Sequence, residues 1–353
     1  MALQGTYQKY VLQFKQPSGT SRGILRTKTS WLIFLKDTEN PTITGIGECG
    51  VLAGLSVDDV PEYETVLAKI CKDINNYKYW LDEGLRAFPS IHFGVEMALK
   101  DLEAKGTKIL FRSEFTENEK SIPINGLIWM GERSFMFEQI KAKLKAGFTC
   151  IKLKIGAIDF EEELGLLKYI RSQFDARTIE LRVDANGAFS PQDALEKLKR
   201  LAQYDLHSIE QPIKQQQWDA MTLLCEQTPL PIALDEELIG VFDTTQKIAL
   251  LDTIRPQYLI FKPSFIGGFK GTQEWIDLCA TRQIPWWMTS ALESNIGLNA
   301  IAQWTATLNN PMPQGLGTGQ LYTNNIDSPL DVENGGIYYR KSNKWNLDFT
   351  HSL

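Results

Sequence analysis

Residues 150–156 read CIKLKIG, with Lys152 and Lys154 alternating against Ile151, Leu153 and Ile155. A period of two is the mark of a β-strand, so both lysines share one face. On a solvent face the pair is unremarkable. On an interior face two ammonium groups stand side by side, and one lowers the proton affinity of the other. Steps of 30, 26, 25 and 27 residues then separate Lys154, Asp184, Glu210, Asp235 and Lys262. Each of these residues closes a short apolar run, and each step is about the length of one βα unit. Charges at the same place in successive parallel units gather at the C-terminal rim of the sheet. That convergence predicts an inward-facing lysine pair, with Lys152 lowering the pKa of Lys154.

Three carboxylates from neighbouring strands make an all-oxygen site suited to Mg²⁺, with Mn²⁺ as an alternative. Lysines on both sides of such a site favour removal of a proton α to a carboxylate, with Lys154 as base. By the same alternation Arg182 and Asn186 share the inward face of Asp184, which makes them candidates to contact substrate or to hold the ligands in place. Glu236 is either a partner of a lysine or a solvated acid. Ser290, Glu293 and Ser294 are candidates for placing a substrate carboxylate, although Ser294 equally suits the N-cap of a helix beginning near Asn295. With three histidines and no HxxxH spacing, a histidine-rich zinc site is not expected.

The elements that must position these residues follow a change of rhythm along the chain. Up to about residue 120, strands at RGILRTKTSWLIFLKD and ITGIGECG, a turn at ENPT and a helix after Pro89 suggest an α+β capping domain. From residue 121 to 329, eight short apolar runs alternate with helical stretches, which is the pattern of a parallel βα array closed into a barrel. No GxGxxG follows its first strand, so a dinucleotide fold is disfavoured. The segment 330–353 is expected to form a strand pair that completes the capping domain. Loops near 19–22 and 49–54 are expected to cover the rim.

The whole composition, 43% hydrophobic and 23% charged, is ordinary for a soluble globular protein. A net charge of −6 in 353 residues gives no reason to expect nucleic-acid or membrane binding. No apolar run has the length of a signal peptide or a bilayer span, and five scattered cysteines suggest reduced thiols and a cytoplasmic setting. Oligomeric state is not encoded in any pattern seen here.

The ordered set KLKIG, RVDANGAFS, IEQPI, LDEEL and IFKPSFIGG resembles the muconate-lactonising subgroup of the enolase superfamily, over nearly the whole chain. The resemblance implies a modified (β/α)7β barrel with an α+β cap and Mg²⁺. By motif it makes Lys154 the base, Asp184, Glu210 and Asp235 the metal ligands, and Lys262 the lysine of the opposite face. Within the subgroup, TSALESNIGLNAIAQW and GLGTGQLYTNN are similar to the o-succinylbenzoate synthase family. That implies dehydration of a cyclohexadiene carboxylate, 2-succinyl-6-hydroxy-2,4-cyclohexadiene-1-carboxylate, to 2-succinylbenzoate in menaquinone biosynthesis. Dipeptide epimerases usually carry an acidic pair at the end of the eighth strand, where this chain reads GLGTGQL. The N-succinyl amino acid racemase branch commonly has an arginine three residues after the sixth-strand lysine, where this chain has Phe265. A barrel of this kind retained only to bind metal is the alternative from another class.

Overall fold

The computed structural model describes residues 2–20 and 23–348. The chain opens with three antiparallel strands, β1 (Leu3–Thr20), β2 (Gly23–Asp37) and β3 (Asn40–Cys49), in the order β1-β2-β3. β1 is longer than any other strand here, and its pairing with β2 shifts between Gln13 and Ser18, on either side of Pro17. Proline cannot donate to the ladder, so the strand bulges there. The β2–β3 turn falls at Thr38–Glu39, slightly before the expected ENPT.

One face of this sheet carries Trp31, Ile33 and Leu35 against Leu67 and Ile70 of the helix Tyr63–Lys72 and Ile91, Val95 and Ala98 of the helix Pro89–Glu103. Proline at the first helical position costs no hydrogen bond, so Pro89 starts that helix cleanly. Gly45 and Gly47 let the helix lie directly on β3. A Cβ on Gly47 would stand 1.9 Å from the carbonyl oxygen of Gly94.

After β4 (Ile122–Pro123) the chain becomes a parallel array. Its strands are β5 (Gly126–Ile128), β6 (Cys150–Lys154), β7 (Glu180–Asp184), β8 (Ser208–Glu210), β9 (Ile232–Leu234), β10 (Tyr258–Phe261) and β11 (Trp286–Met288), each hydrogen-bonded to the next in sequence order. The eighth apolar run supplies only Gln314 and Gly315. Gln314 bridges Ile124 and Gly315 bridges Thr289, both in parallel fashion, and those two contacts close the curled sheet. The outer faces of the strands pack Leu153, Val183, Ile209 and Leu234 against the surrounding helices in one continuous core.

The last strands among the described residues form a hairpin, β12 (Leu330–Glu333) and β13 (Gly336–Tyr339), with β13 antiparallel to β4. The expected strand pair is therefore present, but its backbone pairs with the entry to the barrel. The segment that follows the pair reaches the N-terminal sheet through side chains, Trp345 and Leu347 packing on Leu32, Phe34 and Ile46. Residues 349–353 of the expected C-terminal segment lie outside the described residues.

Candidate active site

Backbone register brings the charged residues together. Lys154 pairs with Asp184 across β6 and β7, and Asp184 with Glu210 across β7 and β8. Asp235 and Lys262 immediately follow β9 and β10. Residues in register on parallel strands point to the same side, so these side chains share one rim. Lys152 and Lys154 are 7% and 8% exposed, which settles the choice between a solvent and an interior face.

The ammonium of Lys152 donates to Glu210 Oε2 at 2.7 Å and to Asp184 Oδ2 at 3.3 Å. Lys154 Nζ donates to Asp184 Oδ2 at 2.8 Å and to Asn186 Oδ1 at 2.7 Å. Lys262 Nζ donates to Asp235 Oδ2. Asn186 takes a left-handed conformation, φ 43°, which turns its amide back over the strand end. In that position its Nδ2 donates to Glu236 Oε1 at 3.0 Å, so Glu236 belongs to the buried network and is not a solvated acid.

Charge decides the protonation of this ring. Burial pulls Lys152 down, but the carboxylates of Glu210 and Asp184 outweigh it and hold the lysine above its ordinary pKa. Burial likewise opposes ionisation of Asp184, yet Lys154 and Lys152 hold it below the usual carboxylate range. Glu210 goes the other way, pushed up by burial and by the charge of Asp184 against the pull of Lys152. Among the described residues no three acidic, histidine or cysteine side chains form a ready cation cage. The expected ligand trio is on one rim, but lysine ammoniums stand against its oxygens, because buried carboxylates need a counter-charge. The donor set still fits a hard divalent cation. All three groups are carboxylates, and the buried Glu210 Oε1 has no hydrogen-bond partner among the described residues.

Above the rim lies a cavity of about 310 Å³. Lys152, Lys154, Asp184, Asn186, Lys262 and Ser290 line it, together with an apolar wall that includes Leu127, Trp129, Phe148, Phe265 and Leu292. The cap contributes Gly23, Ile24 and Leu25 from one segment and Leu52, Ala53 and Leu55 from another, as expected for covering loops. Ser21 and Arg22, part of the first expected loop, lie outside the described residues.

Three expected contacts are placed elsewhere. Arg182 does face inward, but one layer deeper than Asp184. There it stacks on Trp287 with 4.2 Å from guanidinium to ring and donates to the Pro313 carbonyl at 2.9 Å and to Glu180 at 2.7 Å. Alternation gives the face of a strand and not the depth along it. Glu293 is fully buried behind the cavity, accepting from Ser264 Oγ and from the Ala291 amide. Ser294 caps the helix Asn295–Thr307 through the Ile296 amide and donates to Glu48 of the cap. Ser290, which does line the cavity, shares a hydrogen bond with Thr318.

Sequence reasoning missed Glu48, Lys28 and Glu163. Glu48 accepts from the Ser294 and Gly297 amides at 2.9 and 3.0 Å, while Lys28 reaches it through Ser30. Only the G-x-G-E spelling of residues 45–48 marked that strand, and it does not reveal a partner 246 residues away. Glu163 accepts the Gly156 amide at 2.6 Å, just beyond Lys154.

A protein-family model described as Enolase C-terminal domain-like matches residues 136–342. The chain is 49% identical to an o-succinylbenzoate synthase of Desulfotalea psychrophila, over 94% of this chain and 97% of that protein. It superposes on the crystal structure of MenC from Desulfotalea psychrophila with a TM-score of 0.81 and 45% identity, covering 96% of this chain and 100% of the other. It also superposes on a substrate-liganded L-Ala-D/L-Glu epimerase from Bacillus subtilis with a TM-score of 0.82, over 98% of this chain and 97% of that one. At 18% identity that second likeness is one of fold alone.

Proposed function

The chain belongs to the enolase C-terminal domain-like family and within it to the o-succinylbenzoate synthase group, and from that premise we propose that it dehydrates 2-succinyl-6-hydroxy-2,4-cyclohexadiene-1-carboxylate to 2-succinylbenzoate in menaquinone biosynthesis. It is an enzyme with a small-molecule substrate. Members of the superfamily use a divalent cation with a lysine or histidine base, a general property and not a result of this structure. Here we take the ion to be Mg²⁺, with Mn²⁺ as a substitute, held by Asp184, Glu210 and Asp235. When bound, it supplies positive charge to the substrate carboxylate as negative charge builds there.

The observation that carries the reading is the placing of Lys154 and Lys262 on opposite sides of one cavity. Lys154 ends β6 and Lys262 follows β10, four strands apart in the seven-stranded ring that Gln314 and Gly315 close, and both line the space above it. Lys154, oriented by Asp184 and Asn186, takes the proton from the ring carbon that bears the carboxylate. The electron pair of that C–H bond moves into the carboxylate as an enediolate. Its return forms the new ring double bond and expels the hydroxyl from the adjacent carbon. Lys154 returns its proton to the departing hydroxide, so water leaves from the same face. Lys262 keeps its proton throughout and faces the developing charge.

The cavity chemistry supports a carboxylate substrate over a peptide. Among the described residues its wall holds one carboxylate, Asp184, which two lysines already engage, so an ammonium group has no counter-ion there. Phe265 fills the position where the racemase branch carries arginine. No helix among the described residues is long and apolar enough to cross a membrane, and all five cysteines are free and buried. The cysteine state supports a cytoplasmic assignment.

The test follows loss of the cyclohexadiene absorbance with purified protein. With Mg²⁺ the absorbance decays, EDTA stops it, and Lys154→Ala slows it by roughly a thousand-fold while the protein stays folded. A folded, Mg²⁺-treated wild-type protein that leaves the absorbance unchanged overturns the reading.

A further inference from the structure

Four lysines line the cavity: Lys143, Lys152, Lys154 and Lys262. Three of them pair with Asp184, Glu210 or Asp235. The ammonium of Lys143, in the last turn of the helix Arg133–Lys145, has neither an ion pair nor a hydrogen bond among the described residues. Its ammonium stands 4.8 Å from the centre of the Phe148 ring, and its stem lies against β5 at Gly126. A Cβ at Gly126 would come within 3.1 Å of both Lys143 Cδ and the Phe148 ring. Asn125 lies on the same wall. The residue is 5% exposed, and its Oδ1 is buried without a partner among the described residues.

We propose that Lys143, with Asn125 also lining the cavity, is the binding site for a second carboxylate of the substrate. The proposal rests on the dehydratase reading, because that substrate carries one carboxylate next to the acidic proton and another at the end of its succinyl chain. An ammonium half-buried against an aromatic ring has given up part of its hydration, and burial draws its pKa below the ordinary lysine value. A ligand anion restores what burial removed. Turned by half a rotation, the Asn125 amide presents its Nδ2 donor to that anion. The three paired lysines serve the reacting end of the substrate. Among the described residues Lys143 is the cavity cation left to read its length and its second charge, which makes it a specificity residue.

Titration calorimetry in Mg²⁺ with two probes tests this. 2-Succinylbenzoate carries the second carboxylate, and 2-acetylbenzoate lacks it. The wild-type protein is expected to prefer the first by roughly 10- to 100-fold, the size of one charge-assisted hydrogen bond. Lys143→Met, which keeps the stem over Phe148, removes most of that preference by weakening 2-succinylbenzoate alone. Lys143→Arg retains it. Equal weakening of both probes by Lys143→Met, or no weakening of either, overturns the proposal, as does a wild-type protein that binds the two alike. Turnover of the cyclohexadiene by the same wild-type preparation reports separately on the dehydratase reading.

Discussion

Glu163 shows how a single carboxylate can hold a catalytic strand end. One turn into the helix Phe160–Gln173, it reaches back to the Gly156 amide, and the amides of Ile158 and Ala157 also stabilise its charge. Those three residues form the loop that leaves Lys154, and Gly156 itself is pressed against Ala188. Burial outweighs the amides and the nearby Lys197, so the Glu163 pKa rises from 4.5 to about 7. A carboxyl group that holds its proton more tightly when folded stabilises the fold fully below its unfolded pKa. That stabilisation is lost as pH rises through the folded value, here near 7. Urea unfolding at pH 5 and pH 8 should therefore show a fall in wild-type stability of which on the order of 1–3 kcal/mol is absent from Glu163→Gln. Identical falls in the two proteins would remove Glu163 from this account.

Between elements, the cap is locked to the barrel by a buried charge. Glu48, the penultimate residue of β3, accepts the first amides of the helix Asn295–Thr307, and Leu52, Ala53 and Leu55 follow it over the cavity. A carboxylate at a helix N-terminus is favoured by the orphan amides there. Lys28, 3% exposed, depends on Glu48 for its counter-charge. Glu48→Gln is expected to destabilise the protein by about 3 kcal/mol, and to raise KM roughly ten-fold with a smaller change in kcat, since the covering loop loses its anchor. A KM at the wild-type value in a folded variant would show that the loop closes without this clamp. Such contacts explain the limits of what was legible in the sequence. The βα period was enough to place Lys154, Asp184, Glu210, Asp235 and Lys262 on one rim, because register follows from strand spacing. β1 escaped notice because Gln4, Thr6, Lys9, Gln13 and Lys15 are exposed and leave its apolar alternation sparse. Arg182, Glu293 and Ser294 were placed at the correct strand or loop, but their partners depend on depth in the barrel and on how the cap docks. Lys143 sits on a helix whose apolar residues do not form a clean stripe, so its approach to the cavity has no sequence signature.

For the molecule as a whole, the site depends on a ring closed by two residues. The Gln314 amide donates to the Pro123 carbonyl at 2.8 Å, and its own carbonyl accepts from Asn125 at 3.0 Å. The Gln314 side chain accepts from the Met288 amide at 2.6 Å and donates to the Met312 carbonyl. One residue thus ties β11 to the β4–β5 connection. The three carboxylates lie on β7, β8 and the end of β9, away from that seam, so closure and cation binding are separable. Gln314→Ala leaves the Met288 amide buried without an acceptor and should lower stability by about 1–3 kcal/mol in EDTA. Mg²⁺ at a hundred times its dissociation constant adds about 2.7 kcal/mol to any protein that binds it only when folded. Thermal unfolding should show that gain in the wild type and in Gln314→Ala alike, and its loss in Glu210→Gln. If Gln314→Ala also loses the gain, the seam helps to set the carboxylate positions, and the rim cannot be treated as a unit supported by its own strands.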